Sequence, residues 1–305
     1  MTIEERLRYY LADFYKKKIF VSKEEQSYFR EIGPNKIVLC EDPVLVNCPT
    51  KNWWGGDNGP YDYTLKCFSA AYNDVGFILK NFYKKKKHPI VHLPILSAAR
   101  KIGDNIILAK YDYKRCWKPL ENINNNFIQW DQKINEPVWR GVLSGSYGGI
   151  VKQPNRKQLV ETYQHIYNIG TYHSNKNTPH IIYDKNSLTI REQQSYKYIV
   201  VMEGNDIASC MPWCLNSGSV ILMPPPQTEK WVLEGLLKPW VHYVPLDESK
   251  LDLCEKVEWC KKNDSKCFNI VKNAIKHASM FLDEVNELKI HNALIAHYKE
   301  YVFFE

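Results

Sequence analysis

The chain has 305 residues, 44% hydrophobic and 25% charged, with a net charge of +7. This is the make-up of a soluble globular protein, and its length suits two α/β domains better than one compact domain. No apolar run is long enough to span a bilayer, and the charged start MTIEERLRYYLADFYKKK has no apolar signal core, so we expect neither membrane anchor nor signal peptide and place the chain in the cytoplasm.

The 9 cysteines are odd in number and scattered. Cys210 and Cys214 share a helix face, whereas Cys260 and Cys267 are expected far apart on another. We read them as reduced core residues and expect neither a disulfide framework nor a zinc site. The 20 Tyr, 9 Trp and 11 Phe fit a large core or carbohydrate-stacking surfaces. The positive charge suits phosphate-bearing partners, whether nucleotides, nucleic acid or anionic lipid, and does not choose among them.

In chain order, apolar spacing at Leu7, Tyr10, Leu11, Phe14 and Tyr15 predicts helix over residues 1–32, and Ile37 to Cys40 a short strand. Residues 51–60, KNWWGGDNGP, form a turn-rich loop leading into a helix from Tyr61 to about Asn73, with Pro60 suited to its start. Trp53 and Trp54 in that loop are either an exposed stacking pair or core anchors. Val75 to Leu79, Ile90 to Leu96 and Ile106 to Ala109 read as strands. The tract Lys84 to Lys87 reads most simply as a solvated loop. Strand and helix signals alternate over this first part, as in an α/β domain.

A linker is expected around Asn122 to Asn126. Val138 then opens a strand ending in Trp139-Arg140-Gly141 and a loop with Ser144 and Gly145, followed by an amphipathic helix from Arg156 to Tyr167. In a strand, Gly/Ser loop and helix, backbone N–H groups can hold a pyrophosphate, and Arg140 and Arg156 offer guanidinium groups that match phosphate geometry. The loop is neither a Walker loop nor the spaced-glycine dinucleotide fingerprint.

Tyr198 to Met202 is a strand buried on both faces. It ends in the polar turn Glu203-Gly204-Asn205-Asp206, followed by a helix over Ile207 to Leu215 closed by Gly218 and a second buried strand over Ser219 to Met223. Ligands of open parallel sheets sit outside the carboxyl ends of such strands; the alternative is that Asn205 or Asp206 merely caps the helix. Trp240 to Leu246 is a further strand, and Leu251 to Lys261, Asp264 to Leu282 and Val285 to Tyr301 are helical.

Residues 134–280 resemble glycosyltransferase family 90, the capsule-associated family of protein O-glucosyltransferases, fungal xylosyltransferases and bacterial lipopolysaccharide glycosyltransferases. The likeness rests on Trp139-Arg140-Gly141 with its Ser/Gly loop and Arg156, on Tyr196-Lys197-Tyr198, and on Glu203-Gly204-Asn205-Asp206-Ile207-Ala208-Ser209 with Trp213. It continues in Ser217-Gly218-Ser219 and Lys238-Pro239-Trp240-Val241-His242-Tyr243-Val244-Pro245. Leu93 to Arg100 and Tyr113-Lys114-Arg115 look like the lipopolysaccharide branch.

The resemblance implies a GT-B architecture, with two Rossmann-like domains facing across a cleft. It divides the chain into an acceptor-side domain over 1–130, a nucleotide-sugar domain over 131–282 and a final helix, 283–305, returning to the first domain. It implies an inverting transferase without an obligatory metal, moving a glucose- or xylose-type sugar from a UDP-sugar donor to a glycan acceptor. Arg140, Gly141, Ser144, Gly145 and Arg156 would hold the diphosphate. Glu203, Gly204, Asn205, Asp206 and Ser209 would orient the ribose, sugar or phosphate, and His242 and Tyr243 would lie near the cleft.

Two departures stand out. Protein O-glucosyltransferases carry an Arg-Asp pair, its Asp the catalytic base, where this chain has Phe82 and Tyr83, and an Arg where it has Cys210. We therefore assign the base to Asp57, with Asp62 and Asp104 behind it, and an acceptor platform to Trp53 and Trp54. The rival readings are a glycosyltransferase-like fold that binds UDP-sugar or glycan without transfer and, behind that, a basic nucleic-acid-binding protein lacking any recognised motif.

Overall fold

The computed structural model describes residues 1–23, 25, 37–38, 45–47, 63–65, 94, 96–97, 99–108, 128–143, 156–171, 187–204, 208–248 and 251–305. Two compact units result: Met1–Lys118 with Glu229–Val232 and Phe281–Glu305, and Pro119–Thr228 with Leu233–Met280.

The second unit is built on five strands, β1 (Ile134–Gly141), β2 (Asn168–Thr171), β3 (Tyr196–Val200), β4 (Val220–Met223) and β5 (Val244–Pro245). Their order is β2-β1-β3-β4-β5, and every pairing is parallel. The helices are α1 (Arg156–Tyr163), α2 (Ile190–Gln194), α3 (Met211–Leu215), α4 (Leu253–Lys262) and α5 (Asp264–Ser279).

Tyr198 pairs with Val220 and Val200 with Leu222. These four join Leu253 and Val257 of α4 and Ile270 and Val271 of α5 in one core. Ile199 and Ile221, on the other face, are equally buried, as a parallel sheet covered on both sides requires. Each such side chain contributes about 1.5–3 kcal/mol by leaving water.

Several expectations move. The sequence predicts strand from Tyr198, but β3 starts at Tyr196, whose register with Ile134 is offset from that of Tyr198 with Pro137 by an irregularity in the ladder. The helix expected from Ile207 is the short α3, with a proline in its first turn, and Gly218 follows at φ +70°. The helix from Arg156 stops at Tyr163, because β2 begins five residues later. Of the strand expected over Trp240 to Leu246, only Val244–Pro245 joins the sheet. Residues 238–242 instead make a tight turn, with the Val241 and His242 N–H groups both donating to the Lys238 carbonyl. Cys260 and Cys267, expected far apart, meet across the α4–α5 turn, where the Cys267 thiol donates to the Cys260 carbonyl at 3.6 Å. The described cysteines are free thiols.

In the first unit the helix expected over 1–32 ends at Leu11. Ala12 takes φ +51° and Lys16 φ +54°, and Ile19–Val21 then pairs in parallel with Val302–Phe304. The Thr2 hydroxyl accepts from the Glu5 N–H while Glu5 accepts from the Thr2 N–H, a capping box. Arg6 lies buried on the Glu287 carboxylate of the terminal helix Glu284–Tyr301, donates to the Tyr10 hydroxyl at 2.6 Å and stacks 4.5 Å from the Phe281 ring. Tyr63–Leu65, expected helical, is a strand antiparallel to Leu45–Asn47, a case of tertiary pairing overriding local pattern. No helix among the described residues is long and apolar enough to cross a membrane.

Candidate functional site

From β1 the chain moves outward to β2, then crosses back to lay β3 on the other side of β1 and continues to β4 and β5. The direction of winding therefore reverses between β1 and β3. In open parallel sheets such a reversal, at the carboxyl ends of the two strands, marks the crevice where ligands bind. Arg140-Gly141 and Glu203-Gly204, chosen from sequence, stand at these two ends. Val138 and Ile199 are paired in register a few residues below.

Arg156, the first residue of α1, spans the pair. Its Nε and Nη2 donate to the Met202 carbonyl at 3.2 and 2.9 Å, and its Nη1 donates to the Val142 carbonyl at 3.2 Å. One guanidinium thus fixes the spacing of the two strand ends and leaves a positive charge at the start of a helix, where the peptide dipoles also favour an anion.

Arg140 is oriented differently. Its Nη1 donates to the Trp139 and Asn168 carbonyls at 2.9 and 3.0 Å, and its Nη2 to Asn168 Oδ1 at 2.6 Å. Because Arg140 is in register with Gly170, its head is folded back along β2, away from the strand ends. To meet a ligand there it would have to leave Asn168.

Gly141 has a packing reason. A Cβ at this position would stand 2.7 Å from Cζ2 of Trp139, whose indole lies along the strand over it. The Trp-Arg-Gly triplet is thus a buried indole, a polar residue on the opposite face and the gap the indole needs.

Glu203 is partly buried and turned onto the chain after β4. It accepts from the Gln227 N–H at 3.2 Å, from the Thr228 N–H at 2.9 Å and from the Thr228 hydroxyl at 2.6 Å. Loss of water, with a smaller push from Glu234, raises its carboxyl to about 7 against the pull of these hydrogen bonds. Gly204 is buried, and Ser209 is exposed before α3.

Ser144, Gly145, Asn205, Asp206, Asp57, Asp62, Trp53 and Trp54 lie outside the described residues. Asp104 sits in a turn of the first unit, its N–H donating to the Lys101 carbonyl at 3.0 Å. His242 and Tyr243, expected near the cleft, lie in the turn that enters β5. His242 Nδ1 accepts from the Lys238 N–H at 2.9 Å, and Tyr243 is buried.

At the amino ends of the strands the structure adds a residue that sequence reasoning missed. Lys133, just before β1, is buried and donates to the Gln194 carbonyl at 2.5 Å, the Ser219 hydroxyl at 2.9 Å and the Ser217 carbonyl at 3.1 Å. Burial pushes its ammonium down to about 8. Beside it, Asp264 accepts from the Trp130 indole at 3.0 Å and from Lys197 at 3.0 Å. Ser217-Gly218-Ser219 was the available signal, since two hydroxyls flanking a turn glycine mark a polar anchoring point.

Residues 108–304 match the model of glycosyl transferase family 90. The O-glucosyltransferase LpsA of Dichelobacter nodosus is 29% identical over 223 residues, covering 72% of this chain and 63% of that protein. An uncharacterised protein of Invertebrate iridescent virus 6 is 35% identical over 133 residues, 42% of this chain and 10% of its own length. Protein O-glucosyltransferase 3 of Rattus norvegicus is 38% identical over 78 residues, 25% of this chain and 15% of that one. The aligned part therefore spans less than two thirds of each of these curated relatives.

Proposed function

Because the chain belongs to glycosyltransferase family 90, we propose that it moves a glucose- or xylose-type sugar from a UDP-sugar to a glycan hydroxyl, inverting the anomeric carbon without an obligatory metal. The observation that carries this proposal is the reversal of winding between β1 and β3, with Arg156 tied across the two strand ends. In such a transfer the bond from the anomeric carbon to the diphosphate breaks as the acceptor oxygen attacks from the opposite side. Negative charge collects on the departing diphosphate, and preorganised donors beside it lower the barrier. Arg156 and the start of α1 supply that charge, with Arg140 joining if it is released from Asn168.

A base must take the acceptor proton, and Asp57 is assigned to it, with Trp53 and Trp54 as the acceptor platform. Ser144, Gly145, Asn205, Asp206 and Ser209 complete the donor site in this proposal. The two units are taken as the halves of a GT-B enzyme working in the cytoplasm.

The names of the relatives support glucosyl transfer as the reaction class. The test is donor hydrolysis across a panel of UDP-sugars, which needs no acceptor. Turnover of a UDP-hexose or UDP-pentose is expected, with Asp57→Asn abolishing transfer to acceptor while UDP still binds. Absence of both hydrolysis and UDP binding would overturn the proposal. UDP binding without turnover favours a second reading, a sugar-nucleotide-binding protein, which Phe82-Tyr83 in place of the relatives' Arg-Asp pair motivates.

A further inference from the structure

A groove in the second unit contains none of the residues described at the strand ends. It is lined by Trp240 from the turn before β5, Trp259 of α4, and Lys266, Asn269, Ile270 and Asn273 of α5, and its volume is about 360 Å³. That is the size of a small-ligand site. From its residues we infer that the groove is a second, non-catalytic carbohydrate-binding site, taking one or two pyranose rings of a neutral glycan.

The walls suit that ligand. The two indoles meet at a corner, with ring centroids 4.7 Å apart and planes inclined by 63°. A pyranose presents a C–H face that lies against an aromatic ring and a rim of hydroxyls that must be hydrogen-bonded; an indole corner takes the first and leaves the rim facing outward. The rim meets Asn269 and Asn273, which lie one turn apart on the same face of α5. Each amide offers a carbonyl acceptor and an NH₂ donor, and neither side chain is hydrogen-bonded to another group among the described residues. The same holds for both indole N–H groups and for the Lys266 ammonium, which lies 5.8 Å from the Trp259 ring centroid without a carboxylate partner among the described residues.

The corner is also held ready. Trp240 is 44% exposed, yet its backbone takes φ +62°, a conformation that large side chains rarely adopt and that the fold maintains at some cost. The turn is locked by the Trp240 N–H on the Tyr243 carbonyl at 2.7 Å and by the His242 N–H on the Lys238 carbonyl at 3.0 Å. Lys256, itself paired with Asp252 at 2.9 Å, stands 5.4 Å from the Trp240 ring centroid and steadies the indole. An exposed aromatic held in strained backbone beside unspent amides is how a rigid stacking platform is made. The site is independent of whether the crevice turns over a donor.

Calorimetric titration of the full chain with cellotetraose and maltotetraose tests it. Millimolar binding of at least one is expected, weakened about tenfold or more in Trp240→Gly and in the double variant Asn269→Ala/Asn273→Ala. Trp240→Gly removes the indole and suits the left-handed backbone, so relief of strain offsets part of the lost packing and the variant should remain folded. It should bind UDP as the parent does, whereas Arg156→Ala should lose UDP and keep the oligosaccharide, which separates failure of this site from failure of the crevice. Absence of binding to both tetrasaccharides, or binding untouched by both groove variants, overturns the inference. So does a surface that takes only phosphatidylglycerol-containing vesicles, or whose binding falls steeply with salt.

Discussion

The two ends of the parallel sheet in the second unit handle charge in opposite ways. At the amino ends, Lys133 is enclosed by three neutral oxygens and Asp264 is bound by Trp130 and Lys197, so those groups are spent within the fold. At the carboxyl ends, the Arg156 guanidinium bridges the ends of two neighbouring strands and Glu203 is held where its ionisation is disfavoured. The first arrangement fixes strand starts; the second, on our proposal, keeps charge where a ligand arrives. A parallel sheet permits this separation because all its strands point one way, so architecture and chemistry take different ends.

The largest expected effect lies at the amino end and concerns stability. The Lys133 ammonium is held at about 8 in the fold against 10.5 ordinarily, so between those values the unfolded chain binds the proton that the native state has shed. Stability therefore rises with pH across that window, by up to about 3 kcal/mol. Melting temperatures of the parent and Lys133→Met, compared from neutral pH upward, should converge in the parent's favour; parallel curves would show that the ammonium is not desolvated. UDP affinity should not change.

At the carboxyl end, Arg156→Ala should lower UDP affinity by about a hundredfold, the worth of one or two charge-assisted hydrogen bonds. Arg156→Lys should recover only part of this, because an ammonium cannot reach both carbonyls at once. Unchanged affinity in both variants would mean that Arg156 only braces the strands, and the two ends would then no longer differ.

Gly141→Ala sharpens the contrast from within one strand. The added methyl must displace the Trp139 indole, which costs about 1–3 kcal/mol, a fall of a few degrees in melting temperature. Adding Trp139→Phe should return part of the loss, and a double-mutant cycle measures the coupling. The smallest effect belongs to Glu203. Its folded-state carboxyl is raised to about 7, so the stability it contributes is complete below the ordinary carboxyl range and is lost as pH rises through 7. Glu203→Gln should remove that pH dependence, read as melting temperatures that no longer fall as pH rises through 7.

Much of this unit was legible in the residues. The apolar runs at Tyr198 and Val220 each became a parallel strand, because a strand covered on both faces must be apolar throughout, whereas the strand expected from Val138 begins at Ile134, in exposed residues. The polar segments after them had to fall at strand ends, which put Arg140-Gly141 and Glu203-Gly204 at the ends of neighbouring strands. Where side chains turn was not legible. Arg140 folds back because Asn168 and Gly170 lie on the neighbouring strand, a register no local pattern encodes. Lys133 is buried only because residues 194, 217 and 219 converge on it. The turn at Trp240 looked like strand because Trp, Val, His and Tyr favour strands, while Pro239 removes a ladder donor just before it.

The pairing of Ile19–Val21 with Val302–Phe304, and of Arg6 with Glu287, has a consequence for biogenesis. Residues near the start of the chain emerge from the ribosome long before the strand and carboxylate they need. The first unit cannot close during translation, and until residues 281–305 are made it exposes an unpaired strand edge and an uncompensated arginine. A cell making this protein must shield that nascent segment, and a nonsense codon shortly before Phe281 should leave an insoluble product rather than a working fragment.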